Sequence, residues 1–257
     1  MKLICLANLR FPTEKGQGWQ IAKMCEAFVL NGAEVELWHP NRKQPPSLIN
    51  QDPFSFYNLK PILKIRAIFN WDVMPLEKYL PPSIFRLLFI VYSFSWGLLV
   101  VLKTKKMLAD IYYTREFPII FWLTLFKLPV IYEVHYISGI LNKLIMGFVA
   151  KSRHIKLVVT MTNFLKQRCL KMGFAEDKVL VLADAVELKM FANLPSKDEC
   201  RLKINLPKNK KIIGYIGRFE NMGKGKGITE LIKAVAEIVK SNLARKPYFS
   251  SFFLVGG

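Results

Sequence analysis

Residues 3–40 read LICLANLRFPTEKGQGWQIAKMCEAFVLNGAEVELWHP, and their pattern decides the fold class. Leu3 to Asn8 is a short apolar run. A polar loop with Pro12, Gly16 and Gly18 follows, and from Gln20 to Leu30 apolar residues recur at helical spacing until Asn31-Gly32 ends them. Glu34-Val35-Glu36-Leu37-Trp38 then alternates as a strand does. Strand, loop, helix and strand in that order make the unit that opens a parallel sheet, so an α/β fold is expected. The run at Leu3 to Ala7 is too short for a signal peptide and Arg10 interrupts it, which leaves a first buried strand as its reading.

The alternation continues downstream. Residues 41–85 are rich in proline and aromatic residues without a sustained period and read as loops and short helices. Ala109 to Thr114 reads as a strand, Pro118 to Phe126 as a helix, and Pro129 to Val134 as a strand with His135 at its end. Leu157 to Thr160 is a further strand, Asn163 to Met172 a helix closed by Gly173, and Val179 to Leu182 one more strand. The expectation is a Rossmann-like, doubly wound parallel sheet over 1–195, a polar linker or short helix over 196–210, and a second element group over 211–257. That group reads as strand Lys211 to Ile216, glycine-rich loop, helix from Ile228 to about Leu243, and strand Phe252 to Val255. A lone βαβ unit exposes sheet edges and faces, so 211–257 is expected to be the truncated start of a second Rossmann-like domain.

Leu87 to Leu102 is a run of sixteen uncharged residues between Arg86 and Lys103. A spanning helix needs about 20 apolar residues, so this run is read as a buried or membrane-surface helix, with a true span as the alternative. The chain has 38 basic against 19 acidic residues, a net charge of +19, which favours anionic partners such as nucleotide diphosphates and acidic lipid headgroups. Nucleic acid is not expected, because the basic residues are dispersed and there is no zinc spacing, RNP-like aromatic motif or basic heptad array. Cys5, Cys25, Cys169 and Cys200 lie far apart without a C-x-x-C, so neither a metal site nor a disulfide framework is expected, and the thiols read as cytosolic and reduced.

Three places could carry chemistry. Gly16 and Gly18 open the first helix, where free backbone N–H groups can hold a phosphate or an acceptor oxygen. The pair does not match a dinucleotide fingerprint, since Ile21 occupies the place of the third glycine. The turn from Gly217 to Ile228 contains Arg218, Lys224 and Lys226 between a strand and a helix, and such cations can neutralise a diphosphate leaving group. His135 stands at a strand's carboxyl end, where sheets of this kind place their ligand crevices. His39 follows the second strand in a similar position but reads equally as a surface loop residue, His154 reads as exposed, and Glu116 and Glu133 receive no catalytic role, being unpaired at any spacing that suits a two-carboxylate hydrolase.

Taken together, these segments resemble family 4 of the retaining glycosyltransferases (group 1), which have the GT-B fold of two Rossmann-like domains. The resemblance is carried by Asn8 to Lys23 (NLRFPTEKGQGWQIAK), by YEVH from Tyr132 to His135, and by 158–191, in which Asp184 and Glu187 stand where Asn and Asp are usual. Its most specific part is GYIGRF from Gly214 to Phe219, then KGITELIKA from Lys226 to Ala234, and FLVGG from Phe253 to Gly257. It implies transfer of a sugar from a nucleotide diphosphate sugar to an acceptor hydroxyl with retention, in cell-envelope or glycan biosynthesis, with no metal or other cofactor. By the same resemblance Arg218 and Lys226 hold the donor diphosphate and Lys224 shares the role, Gly16 and Gly18 border the reacting groups, and His135 faces the donor sugar. The acceptor is expected to be a glycan or a lipid-linked glycan. The cysteines point to a cytoplasmic location, and with a lipid-linked acceptor the apolar run Leu87 to Leu102 and the basic surface point to peripheral contact at the anionic inner face of the plasma membrane. The family's E-x7-E glutamates lie beyond the point where this sequence stops, so the chain alone is expected to be inactive. The competing reading is a Rossmann module that binds a glycan or lipid without catalysis.

Overall fold

The computed structural model describes residues 1–137, 139–209, 211–217, 219–221, 224–240 and 249–255. They divide into two compact units, Met1–Ala185 and Val186–Gly257. In the first unit the chain runs through β1 (Lys2–Leu6), α1 (Gly16–Leu30), β2 (Glu34–Pro40), α2 (Pro53–Tyr57) and β3 (Lys64–Ile68). It continues through α3 (Pro82–Lys105), β4 (Ile111–Thr114), α4 (Phe117–Leu125), β5 (Val130–Val134), α5 (Ile140–Ala150), β6 (Ile155–Thr160), α6 (Asn163–Lys171) and β7 (Val179–Val181).

The strands form one seven-stranded sheet in the order β3-β2-β1-β4-β5-β6-β7, and every pairing in it is parallel. The mixed α/β architecture is the one expected. From β1 the chain winds outward to β2 and β3, then crosses back to β4 and winds the other way. The order therefore reverses between β1 and β4, and in open α/β sheets a crevice lies outside the carboxyl ends of the strands at such a reversal.

Side chains along a strand point alternately to opposite faces, and this parity sorts the interior into two cores. Ile4, Leu6, Trp38, Tyr112, Val130, Tyr132 and Val158 pack with Trp96 and Val100 of α3, Ile120 and Leu123 of α4, and Met146 of α5. Leu3, Cys5, Val35, Leu37 and Tyr113 pack instead with Ile21, Ala22 and Cys25 of α1 and Tyr57 of α2. The caps are local and chemical. Thr162 accepts from the Leu165 N–H at the start of α6. Gly32, at φ 87°, closes α1, with its N–H on the Val29 carbonyl and that of Ala33 on Phe28.

Two details differ from the sequence reading. Residues 64–68, within the segment expected to be loops and short helices, form edge strand β3; at five residues, KIRAI is too short to set a sustained period among its proline-rich surroundings. The helix read from a run of sixteen uncharged residues extends through both flanking charges to 24 residues. Of the linker and short-helix readings of 196–210, the helix is present as α7 (Lys197–Lys203), started by a capping box in which the Ser196 hydroxyl accepts from the Glu199 N–H and the Glu199 carboxylate accepts from that of Ser196. The compact units divide between Ala185 and Val186.

The second unit continues with β8 (Lys211–Ile216), the short antiparallel pair β9 (Glu220–Asn221) and β10 (Lys224–Gly225), α8 (Ile228–Lys240) and β11 (Phe249–Val255). β8 and β11 pair in parallel, so the βαβ connection expected from the sequence is present. Among its described residues only Arg201 and Val235 are buried, as befits an element group too small to enclose a core.

Candidate active site at the carboxyl edge of the sheet

Glu133 and His135 are two residues apart on and just past β5, so the pleat directs both to the face covered by α1. Glu133 is 2 % exposed. One carboxylate oxygen, Oε1, lies 2.9 Å from Arg115 Nη2 and 2.5 Å from His135 Nε2. The other, Oε2, accepts the Tyr113 hydroxyl. Arg115 follows β4 directly and donates through Nη1 to Gln20 Oε1 of α1 at 2.8 Å. Two adjacent parallel strands, the first of them bordering the sheet's reversal, therefore bring a carboxylate, a guanidinium, an imidazole and a phenol together, with α1 holding the guanidinium through Gln20. Of the four, His135 is the one open to solvent, with a third of its side chain exposed.

The electrostatics follow from this packing. Burial works against ionisation of Glu133, yet the hydrogen bonds from His135 and Tyr113 and the Arg115 charge outweigh it and hold the carboxyl below its ordinary value. Burial, together with the adjacent Glu133 charge, pushes the Tyr113 phenol far up, so it stays a hydrogen-bond donor. With Nε2 committed to Glu133, the ring atom of His135 left to meet a ligand is Nδ1.

A second polar group sits beside it. Arg42 Nη2 donates to Asn8 Oδ1 at 2.6 Å and to the Tyr92 hydroxyl at 3.3 Å, and the guanidinium lies 5.4 Å from the Tyr92 ring centre. Burial raises the Glu116 carboxyl, against the Asn8 N–H and the charges of Arg42, Arg115 and His135, all of which favour its ionised form.

The two carboxyls pull stability in opposite directions with pH. The depressed Glu133 contributes stability that is present above the ordinary value of 4.5 and is lost as pH falls through its folded value. The raised Glu116 contributes below 4.5 and its contribution is lost as pH rises. Glu133→Gln therefore removes part of the acid destabilisation of the wild type. Urea midpoints taken from neutral pH down through the carboxylate range check this, and an unchanged pH slope below 4.5 contradicts it.

The other residues singled out from the sequence fall in different places. Gly18 is buried in the first turn of α1, and its N–H is taken by the Lys15 carbonyl at 2.9 Å. A Cβ there would stand 2.4 Å from both Thr13 Cγ2 and the Tyr57 hydroxyl. That hydroxyl accepts the Thr13 N–H at 2.7 Å and donates to the Thr13 carbonyl at 2.8 Å, which fixes the loop between β1 and α1. Gly16 faces open space at the exposed start of the same helix. His39 is buried against Phe11, with Nδ1 3.0 Å from the Pro40 carbonyl, and His154 is on the surface at the start of β6. In the second unit, Lys226 is exposed in the loop before α8 with its N–H on the Phe219 carbonyl, Lys224 lies in β10 opposite Asn221, and Arg218 lies outside the described residues.

Arg115, Gln20, Tyr113 and Arg42 were not singled out from the sequence, and Glu133 was set aside. One signal was available: Glu133 and His135 are spaced i, i+2 on a strand and so share a face. Arg115 directly after a strand is a second, weaker pointer to the same edge. Among the described residues there is no group of three or more His, Cys, Asp or Glu placed to hold a metal ion.

No family model matches the chain, and no curated protein sequence matches it. Solved structures do. A glycosyltransferase from Rickettsia africae superimposes with a TM-score of 0.62 at 17% identity, over 99% of this chain and 60% of that one. A sucrose-phosphate synthase from Thermosynechococcus elongatus gives 0.66 at 16% identity, over 100% of this chain and 63% of its own. Anabaena HepE, crystallised with UDP, gives 0.55 at 12% identity, over 98% and 69%. The fold is that of the GT-B glycosyltransferases. The chain spans less than two thirds of the first two of these structures.

Proposed function

We propose that this chain is the first domain and the opening of the second domain of a glycosyltransferase that moves a sugar from a nucleotide diphosphate donor to an acceptor hydroxyl. The observation that carries the reading is the buried Glu133, which holds Arg115 and His135 at the carboxyl edge of a GT-B sheet, beside its switch point. Structures that share the fold include one named as a glycosyltransferase and one crystallised with UDP.

In this reading His135 presents Nδ1 to a hydroxyl of the donor sugar, and Glu133 fixes the ring's orientation. Arg218, Lys224 and Lys226 spread positive charge over the departing diphosphate. This is the principal catalytic contribution and needs no metal from the protein. Gly16, exposed at the start of α1, borders the acceptor. The anomeric configuration is retained, as in family 4. The acceptor is a glycan or lipid-linked glycan of envelope or glycan biosynthesis. The 257-residue chain alone binds donor weakly and turns over little.

The test is calorimetric titration with a panel of UDP- and GDP-sugars, followed by transfer assays with the anomer of the product read by NMR. Both are run on this chain and on the full-length gene product. Donor binding and transfer confined to the longer protein support the reading. A longer protein that binds no nucleotide sugar overturns it, and an inverted product overturns retention.

A further inference from the structure

α3 passes by length and composition for a membrane-spanning helix, yet a third of its most apolar window is buried. Its inward side, Tyr92, Trp96, Val100 and Val101, is packed in the core against the sheet. A helix held on one side by a sheet cannot cross a bilayer, since the sheet would have to enter with it. The outward side remains to be explained. Ile84, Leu87, Val91 and Leu102 recur at helical spacing and are 53%, 64%, 57% and 45% exposed. The apolar surface continues across the layer: Phe94 of α3 meets Phe121 of α4 at 5.8 Å between ring centres, and Phe121 meets the exposed Phe148 of α5 at 6.0 Å. Scattered surface apolar residues are ordinary, but a face continuous over three helices is not.

Charge selects the occupant. There is no Asp or Glu in α3, α4 or α5, none between Glu77 and Asp110, and none between Glu133 and Glu176. The exposed charges on α3 and α5 and directly after them are Arg86, Lys103, Lys105, Lys106, Lys143 and Lys151, all positive. A protein partner would leave this one-signed rim to be matched residue by residue. An anionic lipid surface matches it everywhere.

We propose that the outer face of α3, α4 and α5 is a docking surface for an anionic phospholipid bilayer. The domain lies on the membrane with Leu87, Val91 and Phe148 among the acyl chains and the basic rim at the headgroup phosphates. The inference stands on this face alone and not on the transferase reading, and its test does not involve sugar transfer.

The full chain is sedimented with vesicles of phosphatidylcholine containing about 30% phosphatidylglycerol, and with phosphatidylcholine alone, at about 0.05 M and about 0.5 M salt. Expected is binding to the anionic vesicles that weakens at high salt and is at least about tenfold lower on the neutral ones. Leu87→Glu/Val91→Glu and Lys103→Gln/Lys106→Gln each reduce it about tenfold or more while leaving the circular dichroism spectrum unchanged, because all four side chains are exposed. No binding to anionic vesicles overturns the proposal. So does equal binding by the Leu87→Glu/Val91→Glu variant, or a vesicle-free dimer that the same substitutions dissociate, which would assign the face to a second copy of this chain.

Discussion

Arg115→Ala lowers the free energy of unfolding by about 3–5 kcal/mol at neutral pH, because it strands a buried carboxylate. The side chains of Arg115 and Glu133 are 9% and 3% exposed, so water cannot replace the lost partner without opening the site. His135 and Tyr113 still donate to Glu133 in the variant, which places the loss toward the lower end of that range. The loss shrinks as pH falls, since protonation neutralises the stranded group. That sign is opposite to the wild type, in which acid removes the contribution of Glu133. Adding Glu133→Gln to Arg115→Ala restores part of the stability, as removing both charges is gentler than removing one. Urea unfolding of the two single variants and the double variant measures the coupling. A strictly additive double variant shows that the pair contributes nothing beyond its separate packing.

Gly18→Ala has the second large effect. The added methyl has two neighbours at 2.4 Å, the Thr13 side chain and the Tyr57 hydroxyl, both of which hold the loop between β1 and α1. Over-packing of this kind costs about 1–3 kcal/mol, and here it also breaks the two hydrogen bonds by which Tyr57 clamps Thr13. Tyr57→Phe in the same background relieves one of the two clashes, so the double variant is more stable than the sum of the single changes predicts. Gly16→Ala is the control. A Cβ there meets nothing, and alanine is favoured over glycine in a helix by up to about 1 kcal/mol, so its melting temperature is unchanged or higher. Equal melting temperatures for the two alanine variants contradict the close approach at Gly18.

The two glycines show how far residue type carries an argument. Both sit at the start of one helix, and both were candidates for the same phosphate-binding or acceptor-bordering role. Gly16 is open to solvent, while Gly18 is glycine because Tyr57, from an element 39 positions away, crosses its first turn. No spacing within the loop contains that information. The acidic residues show the converse. Glu133 lacks a carboxylate partner at a hydrolase spacing and so carried no signal in that respect. Its partners are an arginine from the neighbouring strand, a tyrosine two residues before that arginine, and the histidine two residues after itself.

The sequence by itself determined the parallel α/β architecture, the closing of α1 at Asn31-Gly32 and of α6 at Gly173, the carboxyl-end position of His135, and the βαβ connection near the end of the chain. These are set by hydrophobic period and turn chemistry, which act over a few residues and are written locally. Only the tertiary structure decided the edge strand at 64–68, a five-residue run that shows itself as a strand through its parallel pairing with β2. It also decided which side of α3 is packed and which is bare, and that Arg115, Glu133, Tyr113 and Gln20 meet. Strand order brings those four together, and strand order depends on which strands lie side by side in the sheet, a property of the whole chain that no local window contains.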